Sequence, residues 1–389
     1  MKVRPADRLT ALPPYIIAEL DNRKRALRAA GRDVIDFGIG DPQEPTPSFI
    51  VERLKTAADD PVNHRYTLLL GCPGFRRQAA AFFEARYGVA LHPDREILTL
   101  IGSKEGIGHL PLALANPGQV VLIPDPGYPA YRSAAVFAGA IAYELPLTEQ
   151  RGWLPDLDAV PSDIARSAVL MFLNYPNNPT GACASREFFA HAVEFARKYE
   201  IVLAHDAAYN EVYFGDERPP SVLQIPGARD VAVEFHSTSK TFNMTGWRLG
   251  FAAGNPDVLA ALGRIKSNLD SGQFGAVQEA GIAAFAGYNR PELHRNRAMY
   301  HERLRVLTAG LRAAGFRVAE PRATFYLWAG VPAGYDSSSA ASRLLDEAAV
   351  VAVPGSAFGR GGAGYLRFAA TVDLERTRAA IERIMEIKW

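Results

Sequence analysis

Through the middle of this chain, short apolar runs alternate with segments whose apolar residues recur at helical spacing, the pattern of a mostly parallel sheet covered by helices. Strands are expected at Ile97–Ile101, Val120–Pro124, Ala168–Leu173, Ile201–His205 and Val231–Phe235. Between them, Pro73–Tyr87 reads as a helix: Phe75, Ala79, Phe82 and Phe83 share one face, Pro73 suits the first turn and Gly88 the stop. Ser185–Tyr199 reads as another, with Ser185 as its N-cap. Beyond about Pro291 the pattern changes to a long charged helix from His294 to about Gly315, strands at Phe325–Trp328, Val350–Val353 and Tyr365–Ala369, and a closing helix from Leu374. The expected organisation is an N-terminal arm and helix over 1–38, a large α/β unit over 39–288 and a smaller α+β unit over 289–389.

Composition narrows the function. Lys plus Arg total 43 against 42 Asp plus Glu, so no bulk cationic surface exists for nucleic acid or an acidic membrane. No run approaches the ~20 apolar residues of a membrane span, and the proline-interrupted, charged N-terminus lacks a signal-peptide core. Two distant cysteines, Cys72 and Cys183, and eight histidines without HxxxH spacing argue against a disulfide framework and a metal site. The expectation is a cytoplasmic protein without a metal. The charge run Asp21–Arg25 reads as a solvated helix face.

The chemistry concentrates where predicted strands end. Ser237-Thr-Ser-Lys240 follows one strand, placing a lysine in apolar and aromatic surroundings, where burial disfavours the ammonium form. Asn174–Gly181 and Asp206-Ala-Ala-Tyr209 follow two others, and Gly102-Ser-Lys-Glu105 opens an apolar helix whose first N–H groups suit a phosphate. Alone, each segment reads more simply as a solvated turn or cap.

Together with Gly38-Ile-Gly-Asp-Pro42, Asp125-Pro-Gly-Tyr-Pro129, Asn178-Pro-Thr-Gly181, Arg248 and Tyr365-Leu-Arg367, these segments resemble, in order and over about residues 36–367, the fold-type I pyridoxal-phosphate enzymes of the class I/II aminotransferase family. The resemblance implies an α/β fold with a mostly parallel mixed sheet plus a smaller α+β domain, pyridoxal 5′-phosphate as cofactor, small-molecule amino and 2-oxo acids as partners, and a homodimer with shared active sites. It implies that Lys240 carries the cofactor as a Schiff base and shuttles protons, that Asp206 pairs with the pyridine nitrogen, and that Tyr209 and Asn178 hydrogen-bond the phenolic oxygen. Tyr128 would stack on the ring. Ser103, Lys104, Ser237, Ser239 and Arg248 would hold the phosphate, with Tyr66 reaching that of the neighbouring subunit. Arg367 and Gly40 would receive the substrate α-carboxylate.

Four longer segments, Ile101–Leu110, Asn174–Gly181, Glu234–Arg248 and Lys266–Gly272, resemble the bacterial LL-diaminopimelate aminotransferases of lysine biosynthesis. One stretch departs from them: after Tyr66 the chain reads Thr-Leu-Leu-Leu-Gly-Cys-Pro-Gly74, more apolar than that subgroup's pattern. Leucines there suit a less polar substrate or a subunit interface. Asp270 or Ser271 would meet a distal amino group, or Asp270 is a solvated loop acid. Aspartate, alanine or other 2-oxo acid transamination, and carbon–sulfur β-elimination, are the alternatives on the same cofactor. A regulatory cofactor-sensing protein would carry a helix-turn-helix extension, for which the residues before the match are too few.

Overall fold

The computed structural model describes residues 3–12, 16–67 and 70–389. Leu68 and Leu69 of the apolar stretch after Tyr66 lie outside them, as does part of the N-terminal arm.

Seven strands form the central sheet in the order Ile97–Leu100, Gly250–Gly254, Ala232–Ser237, Val202–Asp206, Ala168–Asn174, Val120–Asp125, Ile141–Pro146. Six run parallel, and Gly250–Gly254 runs antiparallel to both neighbours. The five predicted strands are present with ends shifted by a residue or two. Two others had not been anticipated: Ile141–Pro146, a partly exposed edge, and Gly250–Gly254, whose small residues carry little strand preference of their own. Both faces of the sheet are apolar, one packing around Phe75, Phe82, Phe83, Phe189 and Phe251, the other around Leu110, Tyr131, Phe172 and Leu262. Burial on both faces is why the strands read as continuous apolar runs rather than alternating ones.

Helix Pro73–Tyr87 begins on its proline and stops at Gly88, which takes the left-handed conformation at φ 68°. Ser185 caps helix Arg186–Tyr199, accepting from the Phe188 N–H at 3.2 Å.

The C-terminal unit is a four-stranded antiparallel sheet, Val353–Pro354, Tyr365–Ala369, Tyr326–Gly330 and Arg317–Val318, packed against helices Pro291–Ala313, Ser337–Ala348 and Leu374–Met385. The expected strand at Val350–Val353 is broken: Val350–Val351 pairs in parallel with Ile35–Asp36, and Val353–Pro354 pairs with Leu366 and Arg367. The N-terminal segment thus adds a strand beside this unit, and Asp33 reinforces it by bonding Arg376 and Arg383. Lys24 corrects the solvated reading of its charge run: it is 7 % exposed, with Nζ 2.6 Å from Asp21 and 2.8 Å from Asp36. A lysine stem covers apolar surface well, and two carboxylates satisfy the head it buries. Among the described residues no helix is long and apolar enough to cross a membrane.

Candidate active site

Five parallel strands deliver their C-terminal ends to one edge of the large sheet, bringing Gly102, Asp125, Asn174, Asp206 and Ser237 there. The antiparallel strand starts at that edge, with Gly250 opposite both Leu100 and Ser237, so Arg248 arrives beside them from the other direction. From the smaller unit, Tyr326 and Arg367 face the same place, as does the Gly38–Gly40 segment leaving strand Ile35–Asp36.

Lys240 lies in the one-turn helix Thr238–Thr241 that follows strand Ala232–Ser237. Its Nζ donates to the Gly40 carbonyl at 2.8 Å and lies 5.8 Å from the centre of the Phe325 ring. Desolvation lowers its pKa from 10.5 to about 8; Asp41 opposes that shift, while the cations of Arg367 and Arg248 assist it. The amine is therefore partly unprotonated near neutrality, as a nucleophile or base must be.

Asp206 is buried at the end of its strand, where Oδ2 accepts from the Tyr131 hydroxyl at 2.8 Å and Oδ1 from the Ala208 N–H at 3.3 Å. Burial pushes its carboxyl above the ordinary value. Among the described residues it has no cation partner within salt-bridge distance. Tyr128 stands over Tyr131 edge-to-face at 5.7 Å between ring centres.

Arg367 donates from Nη1 to Asn178 Oδ1 at 3.0 Å and from Nη2 to the Gly38 carbonyl at 2.8 Å. Its guanidinium lies between the rings of Tyr326 and Phe358, at 4.3 and 4.7 Å from their centres. Its Nε is buried without a partner, and no described carboxylate pairs with it. Such a group is built for an anion from outside.

Tyr209 meets Tyr326 through their hydroxyls at 2.9 Å. Burial holds the Tyr209 hydroxyl well above its usual pKa, so it stays protonated. Tyr326 and Tyr131 had not been singled out in the sequence. The aromatic pair Phe325-Tyr326 in a predicted strand was a faint hint of the first; the second is one helix tyrosine among fifteen in the chain.

Ser103 opens helix Ser103–Leu114 after Gly102, and Lys104 beside it is exposed. A Cβ at Gly102 would lie 2.4 Å from Arg248 Nη2, so glycine lets the guanidinium close over this N-terminus. Ser237 Oγ caps the neighbouring turn by accepting from the Ser239 N–H at 3.2 Å. Tyr66, 88 % exposed, and Ser271, also exposed, do not join this cluster within one chain. Asp270 is not solvated: Lys266 Nζ, almost fully buried, holds it at 2.8 Å and also reaches Glu105 at 3.3 Å.

These residues fit pyridoxal phosphate. Lys240 is an amine of lowered basicity, Asp206 a buried acid lacking a cation, and the Ser103 helix start with Arg248 an anion seat.

The description "Aminotransferase class I and II" belongs to the family model that matches residues 32–384. The chain is 53 % identical over 384 residues to an LL-diaminopimelate aminotransferase of Syntrophobacter fumaroxidans, covering 99 % of each chain. To the enzyme of the same name from Aquifex aeolicus it is 50 % identical over 385 residues, 98 % of this chain and 99 % of that one. Among solved structures, apo-BacF from Bacillus subtilis superposes with a TM-score of 0.95 at 37 % identity, over 99 % of this chain and 98 % of that one.

Proposed function

The chain belongs to the class I and II aminotransferase family and is a pyridoxal-phosphate-dependent transaminase, and we propose that its substrate is LL-diaminopimelate, with a 2-oxo acid as the other partner. What carries the substrate assignment is identity near one half, over the full length, to relatives named for that activity. The alternative, transamination of aspartate, alanine or another amino acid, draws on the apolar stretch after Tyr66.

When bound, pyridoxal phosphate supplies an aldehyde that captures amines and a ring that accepts the electron pair left as a proton leaves the substrate Cα. The phosphate would rest on the N–H groups of Ser103 and Lys104, with Ser237, Ser239 and the forked cation of Arg248 around it. Tyr128 would cover the ring, and Asn178 and Tyr209 would donate to the phenolic oxygen. Asp206, kept ionised, would hold the pyridine nitrogen protonated. Lys240 Nζ would hold the cofactor and, once freed, would take the proton from the substrate Cα as base and deliver it to the cofactor side as acid. Arg367 would grip the α-carboxylate with two parallel donors, fixing the Cα–H bond for that transfer.

The functional unit in this reading is a cytoplasmic homodimer. Exposed Val62, Tyr66, Leu269 and Phe274 lie on two segments joined by the Thr67 hydroxyl donating to the Gln273 carbonyl, close to Arg248. An apolar patch at the mouth of an anion seat suits a second copy that contributes Tyr66 and Ser271 to the neighbouring site.

The test is a donor panel against 2-oxoglutarate. LL-diaminopimelate is expected to exceed aspartate and alanine in kcat/KM by about 100-fold or more. Equal or better rates with aspartate or alanine would reject the substrate, and pyruvate with ammonia from cysteine-like compounds would indicate a lyase.

A further inference from the structure

Adjacent residues of a strand point to opposite faces. Asp206 turns toward the site and His205 away from it, into a hydrogen-bonded cluster that the roles above leave unused. His205 pairs in register with Glu234 on the neighbouring strand. Its Nδ1 lies 2.9 Å from Glu234 Oε2, and its Nε2 lies 2.8 Å from the Tyr175 carbonyl oxygen. Glu234 Oε2 also accepts from the Ser221 hydroxyl at 2.9 Å and the Val222 N–H at 2.8 Å, and Oε1 lies 2.6 Å from His236 Nε2. His205 and Glu234 are both 0 % exposed.

The protons can be assigned by accounting for each contact. A carbonyl oxygen only accepts, so His205 Nε2 carries a proton. A neutral His205 would then turn the Nδ1 lone pair toward Glu234 Oε2, which requires the acid proton to sit on the oxygen already accepting two other bonds. A carboxylate accepting from four donors is instead strongly favoured as the anion, and the Glu234 carboxyl is accordingly held well below its usual range by its two histidines despite burial. Every contact is satisfied when His205 is protonated on both nitrogens, Glu234 is ionised, and His236 is neutral with its proton on Nε2.

We propose that His205 is a buried imidazolium, locked by Glu234 and the Tyr175 carbonyl, and that it acts as a positioning residue which favours the anionic form of the adjoining Asp206. The second half of this inference rests on the role given to Asp206 above. Asp206 receives only neutral donors, Tyr131 and Ala208, and its burial favours the protonated acid. The charge of His205, one residue away, opposes that tendency before any cofactor arrives, although its partner Glu234 balances part of it. The surroundings give the charge reach: Phe189 packs on His205 at 4.7 Å, and Phe83 and Phe251 enclose His236 at 4.9 and 5.1 Å between ring centres. The remaining ionisable neighbours are Tyr87, 6.1 Å from the His236 ring, and behind it the Arg86–Glu211 pair.

Nitrogen-15 NMR of the histidine-labelled apoprotein tests the charge, with the His205 signal identified by its loss in His205→Gln. Both ring nitrogens should carry a proton at neutral pH, as the contacts to Glu234 and the Tyr175 carbonyl require. A singly protonated ring at neutral pH would overturn the proposal, and where His205→Gln does not fold, through-bond sequential assignment of the wild-type protein identifies the signal. Infrared spectra of the apoprotein test the influence on Asp206. A protonated-carboxyl band at neutral pH should appear in His205→Gln and Glu234→Gln, and be absent from wild type and from the Asp206→Asn, His205→Gln double variant. An Asp206 titration that does not move up by about one pH unit or more in folded His205→Gln would refute the positioning role. Failure of the transaminase reading would show separately, as wild-type protein that develops no visible absorption with pyridoxal phosphate.

Discussion

Arg367 Nη1 donates to Asn178 Oδ1 at 3.0 Å, tying a strand of the smaller unit to a turn of the large sheet while the buried Nε remains without a partner. A carboxylate accepting from the fork would complete the donor set. Arg367→Lys keeps the charge but loses the fork, and should cost about 2–4 kcal/mol in kcat/KM, roughly 30- to 1000-fold, for every α-amino acid tested. Steady-state kinetics with three donors checks this. A loss confined to one donor would contradict a shared carboxylate clamp.

Gly40 and Tyr326 meet so closely that a Cβ on the glycine would sit 2.0 Å from the tyrosine hydroxyl. Gly40→Ala must push the ring away, breaking the bond to Tyr209 and moving the carbonyl that accepts from Lys240. The expected destabilisation is about 1–3 kcal/mol, read from the urea midpoint. Adding Tyr326→Phe, which removes the nearest clashing atom, should recover part of it.

The lowered basicity of Lys240 has a direct pH consequence. Its amine is free above about pH 8 and increasingly protonated below it. Reconstitution of the apoprotein with pyridoxal phosphate, followed by visible absorption, should therefore rise about tenfold per pH unit below that value and level off above it. Lys240→Ala should show neither the absorption nor transamination.

Asp206→Asn preserves shape and can still accept from Tyr131, so the fold should persist. Removing the anion should cost about three orders of magnitude in turnover, near 4 kcal/mol. A near-normal rate with normal cofactor absorption would mean that the ring nitrogen is held otherwise.

Asp270 and Glu105 together neutralise the buried Lys266. Asp270→Ala should lower stability by about 1–3 kcal/mol, since Glu105 remains, and Lys266→Met in the same chain should offset part of that. The value of kcat/KM for LL-diaminopimelate, measured where the variant is folded, then reports whether this loop reaches substrate.

The chain's own pattern determined the elements whose burial is local and two-sided: five apolar strands, the helix from Pro73 to its glycine stop, and the segments that carry Lys240, Asp206 and Arg367. Hydrophobic periodicity and turn chemistry are properties of neighbouring residues, so they survive in one dimension. Folding in three dimensions decided what those segments face. The strand Gly250–Gly254 forms because two neighbours pair with it, and its reversed direction is what carries Arg248 to the edge where the parallel strands end. The burial of Lys24, the Tyr131 bond to Asp206, the Tyr209–Tyr326 contact and the charge assigned to His205 all depend on partners 12 to 117 residues distant. Desolvation and hydrogen bonding act through space, and for those residues no periodicity along the chain records which groups will meet.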